Sequence, residues 1–165
     1  MPTVYSPPIS TYVALATVTL AGTDSSITFS SIPATYRDLI VVVQFITGAN
    51  ANVRLRANGD TGSNYSTVRM YGGPGPDVGS DTLTTTYANI ESGETDTQQN
   101  SLLINVMDYS ATDKHKTFLV RGNQNYVSAY ANRWASTTAI NSLEIYTDSS
   151  SFSIGSTFSL FGIGS

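Results

Sequence analysis

The chain has no cysteine, which excludes disulfides and thiolate metal sites and leaves the redox compartment open. It has one histidine, His115. Charge is scarce: Asp, Glu, Lys and Arg make up 12% of the residues, with a formal net charge of -4. No run of Lys or Arg occurs. Nucleic acid and anionic membranes, which need a concentrated basic patch, are therefore not expected partners. No segment approaches the roughly 20 apolar residues of a membrane span. No amphipathic helical period is visible. What remains is a 165-residue chain, 40% hydrophobic, whose surface must be built mostly from Ser, Thr, Asn and Gly. That length suits one domain with a sizeable core.

The most informative stretch runs from Ser25 to Ser66. Ile27 and Phe29 share one face of a short strand. Pro33 fixes its own φ and biases Ile32 towards an extended conformation, so Ser31 to Arg37 reads as a tight connector. Leu39 to Val43 are consecutive apolar residues. Their β-branching favours a strand, and their continuity predicts that both faces are covered. Val53 to Ala57 alternates Val-Arg-Leu-Arg-Ala, which places the two arginines on one face. Asn58-Gly59 follows, a strong hairpin signal because both residues tolerate positive φ.

Along the rest of the chain, Tyr12 to Leu20, Tyr65 to Tyr71, Ser101 to Asp108, Lys114 to Arg121, Tyr126 to Trp134, Ile140 to Thr147 and Ser156 to Ile163 read as strands. Leu102, Ile104, Val106, Phe118 and Val120 are expected inside. The last strand carries Phe158 and Leu160 on one face and Phe161 and Ile163 on the other. Gly72 to Pro76 begins an exposed loop. Asp77 to Gln99 is ambiguous, because Leu83, Tyr87 and Ile90 fit one strand or one short helix. The total is about nine to eleven strands, which predicts an all-β fold, an antiparallel two-sheet sandwich of jelly-roll type. Residues 11–165 form that single domain. Residues 1–10, with three prolines and no period, read either as a plain unpacked terminus or as an extended N-terminal arm, with Tyr5, Pro7, Pro8 and Ile9 as its contacts to a partner.

Few residues suggest chemistry. His115 lies between two lysines and reads as a solvated surface histidine rather than a triad member. Most acidic residues fall in turns. Glu144 lies in a strand, where a cross-strand Arg121 or Arg133 accounts for it as well as a hydrolase carboxylate would. Asn58, Asp60 and Ser63 resemble calcium ligands, yet their turn-forming role suffices. No metal and no cofactor is expected. Tyr126, Tyr130 and Trp134 share parity along one strand. A core or subunit interface and a glycan-stacking platform both fit that arrangement.

SITFSSIPATYRDLIVV, RLRANGDTGSNYS and STFSLFGI resemble a widespread group of small bacteriophage virion proteins, variously labelled capsid decoration, minor structural or tail-fibre proteins. The resemblance touches the first half and the last strand, and its motifs are those of fold and turns. It implies a virion β-sandwich without placing it on the particle; the protein is expected to be non-enzymatic and to contact other virion proteins, the major capsid protein foremost. It also implies a homo-oligomer, with a trimer favoured. A capsid decoration (cement) protein on the outer shell is preferred, because no coiled coil or repeated shaft is present. The alternative is a tail-fibre or receptor-binding module for a host surface glycan. MPTVYSPPIS lacks the basic start and apolar centre of a secretion signal, which is compatible with delivery inside an assembled particle.

Overall fold

The computed structural model describes residues 11–73, 75–91, 98–123 and 126–164. These residues form twelve β-strands and no α-helix. In chain order they are β1 (Tyr12–Thr19), β2 (Ser26–Phe29), β3 (Asp38–Phe45), β4 (Val53–Ala57), β5 (Tyr65–Gly72) and β6 (Val78–Thr85). The second half holds β7 (Ala88–Glu91), β8 (Asn100–Met107), β9 (Lys116–Asn123), β10 (Val127–Trp134), β11 (Leu143–Thr147) and β12 (Thr157–Ile163). The expected arm, with Tyr5, Pro7, Pro8 and Ile9, lies outside the described residues.

The strands form two antiparallel sheets. One has eight strands in the order β1-β12-β3-β8-β9-β10-β5-β6, and the other has four in the order β2-β11-β4-β7. Four pairs are nested in the chain: β1 with β12, β2 with β11, β3 with β8, and β4 with β7. Successive nested pairs alternate between the sheets, so one long hairpin is rolled into a sandwich. This is the jelly-roll plan. The hairpins β5–β6 and β9–β10 are inserted into that plan, and β10 pairs with β5 to join them. Both insertions extend the same sheet, which is why it has twice the strands of its partner.

The core lies between the sheets. Leu39, Val41, Val43 and Phe45 of β3 are buried, as are Leu102, Ile104 and Val106 of β8. They face Ile27, Phe29, Val53, Leu55, Leu143 and Ile145 of the smaller sheet. Phe152 meets Phe45 and Phe158 edge-to-face, with centroids 5.5 and 4.9 Å apart. Each such pair adds about 0.5–1.5 kcal/mol beyond its buried area. On the outer face of β3, Ile40 is also buried, opposite Phe161 and Asn105, while Val42 is half-buried.

Several expectations change in detail. The ambiguous segment makes two strands, β6 and β7, and brings the count to twelve. Its alternation was hidden because the inward positions of β6 include Asp81 and Gly79 rather than apolar side chains. Asn58 and Gly59 both have positive φ (53° and 65°), and the Asp60 amide donates to the Ala57 carbonyl at 3.0 Å. The turn does not close a hairpin, however. It carries the chain from β4 in one sheet to β5 in the other. Glu144 lies across from Arg56, with 3.7 Å between charged atoms, and not from Arg121 or Arg133, because β11 belongs to the smaller sheet. Lys116, on the same face of β9 as Phe118 and Val120, is fully buried. Its ammonium donates to the carbonyls of Ala111, Lys114 and Thr137 at 2.6, 2.8 and 3.3 Å. Burial pushes its pKa down, against Asp113 and Asp108, which favour the charged form.

Candidate functional site

Two surfaces stand out, and the inserted hairpins contribute to both. The first follows from the mismatch between the sheets. The smaller sheet ends at β7, which packs on β10, β5 and β9. Beyond it, β5 and β6 overhang without a facing strand. Leu83 shows this plainly: it pairs with buried Thr67 on the inward side and is still exposed. Inward-facing side chains on the overhang meet water rather than a core, and apart from Leu83 and Tyr71 they are polar or glycine.

Those side chains enclose a cavity of about 250 Å³, lined by Arg69, Tyr71, Asp77, Glu91, Tyr126, Ser128 and Tyr130. Glu91 forms the floor and is only 2% exposed. Its two carboxylate oxygens accept from the hydroxyls of Tyr130 and Ser128 at 3.0 and 3.1 Å. A Cβ at Gly122 would stand 2.7 Å from the Glu91 carboxylate and 2.8 Å from Leu102, so glycine there is what lets the acid lie flat on β9. Arg69 donates to Asp81 at 2.5 Å across β5 and β6 and lies over the Tyr71 ring, 4.5 Å from its centroid. Burial works against its charge, but Asp81 more than offsets that and holds the guanidinium pKa above its ordinary value. At the rim, the rings of Tyr126 and Tyr71 meet edge-to-face at 6.0 Å, and the Tyr126 hydroxyl donates to Asp77 at 3.1 Å.

Tyr130 and Trp134 share the inward face of β10, and Tyr126, directly before the strand, lies on the same side. Tyr126 stands at the mouth of the cavity and Tyr130 in its wall. Trp134 is in the core, 3% exposed, stacked on Tyr65 at 6.3 Å, and its indole N–H donates to Asp60 at 2.6 Å. Asp60 also accepts from Asn64 and the Gly62 amide, both at 2.8 Å. Burial alone would raise its pKa, but the Trp134, Asn64 and Gly62 donors hold it below the usual carboxylate value. Asn58 is engaged elsewhere, donating to the Ala139 carbonyl at 2.9 Å and accepting from the amides of Asn141 and Ser142. Asp60 thus anchors the corner between the sheets. Among the described residues, no group of three or more His, Cys, Asp or Glu is placed to hold a metal ion. His115 lies exposed ahead of β9.

Of the cavity lining, Tyr126 and Tyr130 stand out in the sequence, Asp77 and Glu91 read there as acids of turns and the polar loop, and Arg69, Tyr71 and Ser128 escaped sequence reading. Arg69 and Asp81 face each other across a hairpin whose second strand was not recognised. Glu91 ends β7, which is only four residues long.

The second surface is the outer face of the larger sheet. Val68 and Met70 of β5 are 50% and 63% exposed, and Leu103, Met107, Leu119 and Val127 are exposed as well. The register sets Val68, Ala131 and Leu119 in one row across three strands, with Met70 and Ala129 adjoining. Arg121 and Arg133 are the charged side chains of the outward positions of β8, β9 and β10.

No family model matches the chain, and no curated protein matches it. A solved exo-inulinase from Aspergillus awamori aligns with 93% of this chain and 29% of its own, at 13% identity and a TM-score of 0.47. The chain therefore spans less than a third of that enzyme's chain, and the likeness carries no inference about activity.

Proposed function

We propose that this protein is a non-enzymatic bacteriophage virion protein, a capsid decoration (cement) protein that docks on the outer shell. The observation that supports this reading is the apolar outer face of the larger sheet. A face carrying Val68, Met70, Leu103, Met107 and Leu119 in a chain this poor in charge suits permanent contact with other proteins. The resemblance of the β2–β5 stretch and of β12 to small virion proteins points the same way. The proposed contacts are the major capsid protein and sister copies in a homotrimer, and the proposed location is the virion.

The polar cavity favours a second reading, a tail-fibre or receptor-binding module for a host surface glycan. Antibody raised against the protein and imaged on intact particles separates the two. Label over the shell is expected. Label confined to the tail replaces the first reading with the second, and particles without label overturn both.

A further inference from the structure

We infer that the cavity between β5, β6, β7 and β10 is a binding site for one residue of a neutral saccharide. The inference deepens the receptor-binding reading and rests on it. The size fits a single ring. At about 250 Å³, the cavity lies just under the roughly 300–1,000 Å³ of sites for drug-sized ligands. The lining combines what a polyol needs. Asp77 and Glu91 are acceptors for sugar hydroxyls, whereas Arg69 and the Tyr71 hydroxyl donate, since the Tyr126 and Tyr130 hydroxyls already donate to the two carboxylates. The Tyr126 ring offers a negative π-face to the electropositive C–H bonds of a pyranose, whereas the Tyr71 ring is covered by Arg69.

Charge decides between ligand classes. The lining carries Arg69 against Asp77 and Glu91, and Arg69 is already paired with Asp81. An acidic sugar or a phosphate would meet an excess of carboxylates. A cationic ligand would compete with Arg69, which already covers the Tyr71 ring. A neutral ring avoids both penalties.

The backbone is also cut to keep the rings in place. A Cβ at Gly73 would fall 2.2 Å from the Tyr126 ring, and one at Gly79 would fall 2.4 Å from the Tyr71 hydroxyl. Each tyrosine therefore lies directly on glycine backbone on either side of the β5–β6 turn. Pre-seated rings lose little conformational freedom on binding.

The test uses the full chain on an array of neutral and acidic glycans, followed by saturation-transfer NMR with free glucose, galactose and N-acetylglucosamine. Tyr126→Ala and Asp77→Asn are the principal variants, because neither residue is buried in the core. Glu91→Gln is a third. Binding to neutral glycans is expected, weakened about tenfold or more in each variant, as for loss of a hydrogen bond to a charged group. Unchanged thermal midpoints for Tyr126→Ala and Asp77→Asn would show that the fold is intact. Neutral-glycan binding that survives both variants overturns this site while leaving the receptor-binding reading standing. Binding confined to acidic glycans overturns the ligand class. No response to any sugar overturns the site and the receptor-binding reading together.

Discussion

At the scale of single residues, the corner between β4 and β5 concentrates the protein's special geometry. Gly59 sits at a φ of 65° with open space where a Cβ would be, so any penalty on substitution is conformational rather than steric crowding by neighbours. Gly59→Val is expected to destabilise the protein by roughly 1–3 kcal/mol, because a β-branched residue is strained there. Unchanged denaturant midpoints would contradict it. Tyr65, six residues on, is 1% exposed, and its hydroxyl accepts from the Ala57 amide at 3.1 Å. Burial pushes its pKa up from 10.0 to about 12. Below pH 10 the phenol is protonated in both folded and unfolded chains. Between 10 and 12 the unfolded chain releases the proton while the folded one retains it, so stability falls as pH rises through that window. Tyr109 and Tyr146 are shifted upward by burial as well. Tyr65→Phe should therefore make urea-unfolding free energy fall less steeply between pH 10 and 12, without flattening it. An unchanged slope would remove the assignment.

At the scale of elements, inward and outward positions on the inserted strands have opposite roles. Val120 and Tyr130 point into the core, whereas Leu119 and Met70 point out. Leu119→Glu with Met70→Lys should leave the unfolding free energy within about 0.5 kcal/mol of the parent, as surface substitutions usually do. The same pair should lower occupancy on particles, and full occupancy would rule out this face as the contact. The strands that alternate cleanly were legible from sequence: β4, β8 and β9 put Val53, Leu55, Ile104, Phe118 and Val120 where their period places them. The inserted overhang was not. Hydrophobic alternation reports burial against another layer, and β6 has no layer opposite it. The inward period of β9 extends to Lys116, whose long side chain ends its ammonium on the carbonyls of Ala111, Lys114 and Thr137. The aromatic row of β10 was found, but its division between cavity and core depends on where β7 stops.

At the scale of the whole molecule, the proposed assembly makes two measurable claims. Sedimentation at micromolar concentration should give a homotrimer, and a stable monomer that also fails to assemble on particles would sink the idea. Deleting residues 2–9 should leave the thermal midpoint nearly unchanged and reduce particle occupancy. A midpoint lowered by several degrees would mean that this segment packs on its own domain. The nested pairing has a further consequence, for the order of events in time. β12 lies between β1 and β3, so β1 has no neighbour in the sheet until β12 arrives. During synthesis the apolar β3 must wait for partners that lie about sixty and a hundred and twenty residues downstream. Loop closure over such spans slows folding, and non-local sandwiches fold in milliseconds to seconds. The roll is therefore completed only after β12 has left the ribosome. Until then the open flank of β3 is a surface for chaperones, or for another nascent chain.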